Sequence, residues 1–170
     1  EQYCKTAETL ALEAVNNIIT IGREHVSIDA IKRLCKALIL SGASMGVVNS
    51  TRPAGGSEHM VGRHLELFTR RKLPHGIAAA VGSLLMASYH EMKNPNWWIE
   101  EEYRFNSIKK YCEQWNILKR FNEVGIPRKV VIEAIVSSWK TRPERYTILH
   151  KYQPTFLEAE EILRIARIDE

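Results

Sequence analysis

His59 and His75 stand where their side chains could do chemistry. His59 falls in the first turn of a short helix just after a glycine-rich loop; His75, between Pro74 and Gly76, opens the next helix. Sixteen positions and a polar connector separate them, and two helix starts joined in this way can bring both imidazoles to one point. Neutral imidazole is a good ligand for zinc and other divalent first-row metals. A catalytic metal site needs about three protein ligands and one open position, so two histidines are not a full set. The competing reading is that each histidine caps a helix or bonds a loop carbonyl. A carboxylate is the usual third partner, yet the chain holds only two aspartates, Asp29 and Asp169. Asp29 reads as a first-turn helix residue and Asp169 as part of a frayed C-terminus. Glu58 adjoins His59, but helix neighbours one apart point in different directions. No carboxylate presents itself as a third ligand, and His25, His90 and His150 read as surface or capping residues.

The elements that must position these residues are helical throughout, with no strand alternation. Residues 3 to 23 carry Leu10, Val15, Ile18 and Ile19 and read as a helix that Gly22 can close. Ser27 then N-caps a helix patterned by Ile28, Ile31, Leu34, Cys35, Leu38 and Ile39, running on through residues 41–46. Asn49 to Ser57 is a loop, and Ser57 caps a helix from Glu58 to Phe68. Pro74-His75-Gly76 opens a buried, Ala- and Gly-rich helix from Ile77 to Tyr89. After a break at Asn94-Pro95-Asn96, Tyr103 to Leu118 forms further helical turns. Gly125-Ile126-Pro127 breaks the chain again, with Pro127 at a first helical position. Helices follow over Lys129–Trp139, Glu144–Lys151 and Phe156–Ile168, interrupted at Thr141-Arg142-Pro143. The expectation is an all-α chain of seven or eight helices and no significant sheet, one bundle-like domain over residues 1–170.

Composition narrows the function classes. At 170 residues, 45% hydrophobic and 26% charged, the chain is ordinary globular protein. A net charge of +4 suits an anionic ligand such as a phosphate ester without demanding one. The densest basic runs, Arg70-Arg71-Lys72 and Lys109-Lys110, read as solvated surface, so no nucleic-acid partner is expected. Three cysteines without a Cys-x-x-Cys pair argue against a disulfide framework or thiolate zinc site and for a reducing, cytoplasmic setting. Cys35 and Cys112 read as small core residues. The longest apolar stretch, Ile77 to Met86, is too short to span a bilayer, and no signal region is visible. No phosphate-cradling loop, glycine-rich dinucleotide turn or nucleophile elbow is present. A nicotinamide cofactor would therefore need sequence beyond this chain.

Ser50-Thr51-Arg52-Pro53-Ala54-Gly55-Gly56-Ser57-Glu58-His59 resembles the Ser-Ser-Arg-Pro-Ala-Ser-Gly-Ser-Glu-His motif of the glycerol-1-phosphate dehydrogenases. Ser41-Gly42-Ala43-Ser44-Met45, Pro74-His75-Gly76, Gly125-Ile126-Pro127 and the segment Arg142 to Leu149 fit the same family. The likeness runs from roughly residue 4 to residue 150. These enzymes belong to the iron-containing alcohol dehydrogenase and dehydroquinate synthase-like group, with an N-terminal dinucleotide-binding domain, a C-terminal helical domain and the active site between them. The resemblance implies that this chain is the helical domain of a phospholipid-biosynthesis oxidoreductase, and that the fragment alone is inactive without its missing N-terminal domain. It implies that His59 and His75 are two of three metal ligands, the third being an aspartate upstream. Two departures stand out: Arg63 occupies a position where relatives often carry a second histidine, with His64 next, and Ile77 replaces an acidic or amide residue.

For the intact enzyme the resemblance implies reduction of dihydroxyacetone phosphate to glycerol 1-phosphate by NAD(P)H, with zinc or another divalent metal as Lewis acid. Arg52 or Arg63 would bind the substrate phosphate, since guanidinium pairs well with phosphate oxygens. Arg52 reads equally as a loop residue tied to backbone carbonyls. His64 is a candidate proton relay, against a plain surface histidine. Trp97, Trp98 and Trp115 read as core or interface anchors, and Arg145-Tyr146 as a domain or subunit boundary, with a homo-oligomer possible. Two alternatives remain: a polyol dehydrogenase or dehydroquinate synthase-like enzyme, and a non-catalytic helical interaction module.

Overall fold

A computed structural model describes residues 3–21, 27–70 and 72–168. They fall into two compact units divided after Gly56. All regular structure among the described residues is helical: nine α-helices and three 3-10 turns, with no strand. None of these helices is long and apolar enough to cross a membrane.

The first unit is a helical pair followed by a turn: α1 (Lys5–Ile19), α2 (Ile28–Val48) and a 3-10 turn at Arg52–Ala54. The expected cap on α2 is present, with the Ser27 hydroxyl accepting from the Ala30 amide at 3.1 Å. Asn49 closes α2 in the left-handed region at φ 48°, while the Ser50 amide bonds back to the Met45 carbonyl at 3.1 Å; asparagine tolerates that conformation better than most residues. The two helices pack through small residues, Ala7, Ala14, Ala37 and Ser44 being buried. An ion pair of 2.8 Å joins Lys36 to Glu13 across them. The larger apolar side chains of α2 face outward, Ile28, Leu38 and Ile39 each being at least 65% exposed. Cys35 is exposed with them, which corrects its reading as a core residue. Gly22 and His25 lie outside the described residues.

The second unit contains α3 (Ser57–Phe68), α4 (His75–Lys93), a 3-10 turn at Glu101–Tyr103, α5 (Phe105–Gln114), α6 (Ile117–Asn122), α7 (Arg128–Ser137), a 3-10 turn at Ser138–Thr141, α8 (Ile148–Tyr152) and α9 (Phe156–Ala166). The central helix is α4, which packs against α3, α5, α6 and α9, while α7 bridges α3 and α9. Val61, Leu65, Val81, Leu84, Leu85, Ile135, Leu149, Ile162 and Leu163 fill the core between them. Cys112 is buried there as expected, and burial pushes its thiol up to about 11. At the far end of α4, Lys93 forms an ion pair with Glu158, and Tyr152 donates to Asn94 at 2.8 Å. Glu158 also completes a capping box with Thr155 at the start of α9.

Several boundaries differ from the expectation for local reasons. Asn116, left-handed at φ 54°, breaks the run after Tyr103 into α5 and α6, so the described residues hold nine α-helices where seven or eight were expected. Pro127 sits at the N-cap of α7 rather than its first turn. The expected helix from Glu144 begins only at Ile148. Thr147 is extended there, its hydroxyl 3.0 Å from His150 Nδ1, and His150 Nε2 donates to the Arg142 carbonyl at 3.1 Å. Trp97, Trp98 and Trp115 are 62%, 37% and 42% exposed and are not core. Trp97 and Trp98 lie beside the His90 ring at centroid distances of 6.3 and 6.4 Å. Asp169 lies outside the described residues.

Candidate metal centre

Two glycines let α3 and α4 approach closely enough to set His59 against His75. A Cβ on Gly82 would stand 2.2 Å from the Glu58 carbonyl oxygen, and one on Gly62 would stand 2.9 Å from the Ala78 carbonyl oxygen. Backbone therefore packs on backbone, a separation no residue with a side chain allows. His59 occupies the first turn of α3, two residues past its start, and His75 is the first residue of α4. Their ring centroids lie 5.5 Å apart with planes inclined at 56°. Two joined helix starts thus place the rings as neighbours.

Each ring is held at Nδ1 by a carboxylate. His59 Nδ1 lies 2.8 Å from Glu58 Oε1, and His75 Nδ1 lies 2.5 Å from Glu66 Oε1. The hydrogen bond to Glu58 raises the His59 pKa, against the opposing effects of burial and of the Arg145 charge. Where a neutral imidazole donates from one nitrogen, its other nitrogen carries the lone pair. The pair can therefore present two Nε2 donors, which suits zinc or a neighbouring first-row ion. Among the described residues no group of three His, Cys, Asp or Glu side chains is placed to hold a metal. Two imidazole donors suit a divalent cation but do not make a full ligand set.

The other residues singled out by sequence fall as follows. Arg63 is on α3 with a guanidinium nitrogen 3.6 Å from Glu66 Oε2. His64, the next residue, is half-buried. Arg52 belongs to the 3-10 turn of the first unit, its amide bonded to the Ser50 hydroxyl at 3.3 Å. Ile77 is buried in the core, which accounts for an apolar side chain there. Two participants were missed. Glu66 follows His59 by seven positions and Arg63 by three, so all three share a face of α3; that helical spacing is the signal that could have found it. Arg145 was read as a boundary residue, yet its charge acts on His59; nothing in the sequence announces that.

No family model matches the chain. It is 37% identical over 134 residues to a glycerol-1-phosphate dehydrogenase [NAD(P)+] of Sulfurisphaera tokodaii, covering 79% of the chain and 35% of that protein. The enzymes of the same name from Thermococcus kodakarensis and Hyperthermus butylicus are 32% and 30% identical over 99% of the chain, and the chain covers 45% and 46% of them. The chain thus spans less than half the length of these curated relatives, and over most of its own length it is related in sequence to part of the glycerol-1-phosphate dehydrogenases.

Proposed function

We propose that this chain is the helical, C-terminal, metal-binding part of an NAD(P)-dependent dehydrogenase that interconverts dihydroxyacetone phosphate and glycerol 1-phosphate in the cytoplasm. One observation carries the reading: two imidazoles from two helix starts stand 5.5 Å apart, each anchored at Nδ1 by a carboxylate. His59 and His75 would hold a divalent cation, zinc or a neighbouring first-row ion, with a third ligand supplied from outside the described residues. Such a cation supplies Lewis acidity toward a substrate carbonyl. The chain's own residues bind and orient. The close-packed ends of α3 and α4 fix the imidazoles, and Arg63 on α3 is the candidate guanidinium for a substrate phosphate. His64, one position beyond Arg63, stands as the candidate proton relay. A nicotinamide site would lie outside this chain, which carries no glycine-rich dinucleotide turn.

The test is an assay of dihydroxyacetone phosphate reduction by the whole protein with NADH and NADPH, before and after chelation and zinc restoration. The reading expects activity that is lost on chelation, recovered with metal, and abolished in His59→Ala and His75→Ala. Metal-independent activity, or full activity in either variant, would refute it.

A further inference from the structure

We propose that Glu66 is a positioning residue for the histidine pair: it keeps the proton of His75 on Nδ1 and so makes Nε2 the ligating nitrogen. The inference rests on the reading of His59 and His75 as metal ligands and adds to it a residue that sets their chemical form.

The contrast in burial is the starting point. The Glu66 side chain is only 10% exposed, while that of its partner His75 is 70% exposed. A carboxylate taken out of water is costly unless it is paired and hydrogen-bonded. Glu66 meets that condition with its two oxygens in different hands, Oε1 on His75 Nδ1 at 2.5 Å and Oε2 facing the Arg63 guanidinium at 3.6 Å. Its backbone is set by the core, because Leu65 beside it and Val61 a little over one turn before it are fully buried. A rigid, buried acceptor thus holds a ring that is otherwise exposed. Glu58 makes a similar bond to His59, but from the adjacent residue. Glu66 instead ties the start of α4 to the third turn of α3, so it fixes the separation of the two rings as well as the proton position on one. A carboxylate on the far nitrogen of a ligating histidine sets its tautomer and raises its basicity.

The experiment reads the tautomer directly. Two-bond proton–nitrogen correlation spectra of the nitrogen-15-labelled chain, recorded at a pH where the imidazoles are neutral and assigned with His59→Gln and His75→Gln, distinguish Nδ1–H from Nε2–H. Wild type should show His75 as Nδ1–H. Glu66→Gln, whose carboxamide oxygen can still accept, should keep that form. Glu66→Leu should shift His75 toward Nε2–H and leave His59 unchanged. Titration with zinc alone should show affinity falling about 10–100-fold in Glu66→Leu and less in Glu66→Gln. A wild-type His75 protonated on Nε2 would overturn the proposal, as would a Glu66→Leu chain whose tautomers and zinc affinity match wild type. Should Glu66→Leu fail to fold by circular dichroism, the wild-type tautomer and the Glu66→Gln chain decide the matter. A wild-type whole protein with the expected tautomer that takes no zinc refutes the ligand assignment and the positioning role with it. A wild-type chain that binds zinc no better than Glu66→Leu refutes the role of Glu66 alone.

Discussion

Replacing Gly82 by alanine adds one methyl group at the point where α4 passes under Glu58, and the consequences can be worked from the geometry. The new Cβ would lie 2.2 Å from the Glu58 carbonyl oxygen, 3.0 Å from its carbonyl carbon and 3.2 Å from its Cα. All three atoms are backbone, so no flexible side chain can turn aside; α3 must move at the residue that precedes His59. Overpacking of this kind costs about 1–3 kcal/mol, and a contact so far inside van der Waals range belongs at the upper end. Alanine's better helix propensity returns about 1 kcal/mol. The net expectation is a loss of about 2 kcal/mol, a shift of about 1 M in the urea midpoint for a slope near 2 kcal/mol/M. Gly76→Ala is the control. Nothing lies within 4 Å of its Cβ position, so the same substitution six residues earlier in α4 should leave the midpoint unchanged or slightly raised. Because the strain falls at Glu58, Gly82→Ala should also weaken zinc binding, whereas Gly76→Ala should not. A Gly82→Ala midpoint equal to or above wild type would refute the claim that backbone contact between α3 and α4 sets the site.

Other consequences follow from the same structure. Thr155→Ala removes the capping box of α9 and should lower stability by about 0.5–2 kcal/mol in denaturant unfolding, Glu158→Gln showing part of the same loss. Thiol labelling at pH 8 should modify exposed Cys35 quickly and Cys112 only on unfolding, since a thiol raised to about 11 leaves about one molecule in a thousand as thiolate; fast labelling of Cys112 in the native chain would contradict the core assignment. Burial lowers the pKa of His90, so between its folded value and about 6.5 the unfolded chain binds the extra proton and stability rises with pH. Its contribution is complete above about 6.5 and lost as pH falls below, so the stability difference between wild type and His90→Phe should change across that window and be flat above it. A difference that stays constant from pH 5 to 7 would count against the burial of that ring.

How far the sequence carried this reading depends on what kind of interaction each feature reflects. Local signals were reliable: the Ser27 cap, the breaks at Asn94 and Gly125, and the two helix starts bearing His59 and His75 are all present. Features that depend on partners distant in sequence were not legible. The apolar spacing of α2 correctly marked a helix, but periodicity cannot say which stripe is covered, and Cys35 and Leu38 prove to be exposed. Asn116 splits a helix by adopting a left-handed conformation that asparagine only permits and does not compel. At the site, attention to a third ligand hid the carboxylates that hold the first two. Glu58 was set aside because neighbours on a helix diverge, yet its flexible side chain reaches the adjacent ring. Glu66 went unnoticed because its partner His75 lies on another helix. The pairing of α3 with α4 through Gly62 and Gly82 is likewise a property of two backbones meeting, which single-residue spacing does not encode.

Calorimetric titration of zinc into the whole protein and its His59→Ala and His75→Ala variants shows whether the two imidazoles are ligands of one divalent cation. Zinc sites of four ligands bind with roughly 10–16 kcal/mol, so each imidazole carries about 3 kcal/mol, close to a hundredfold in affinity. One zinc per protein chain is expected in wild type, with affinity lower by about a hundredfold or more in each variant alone. Undiminished binding in either variant, or a wild-type whole protein that takes no zinc, would contradict the shared site.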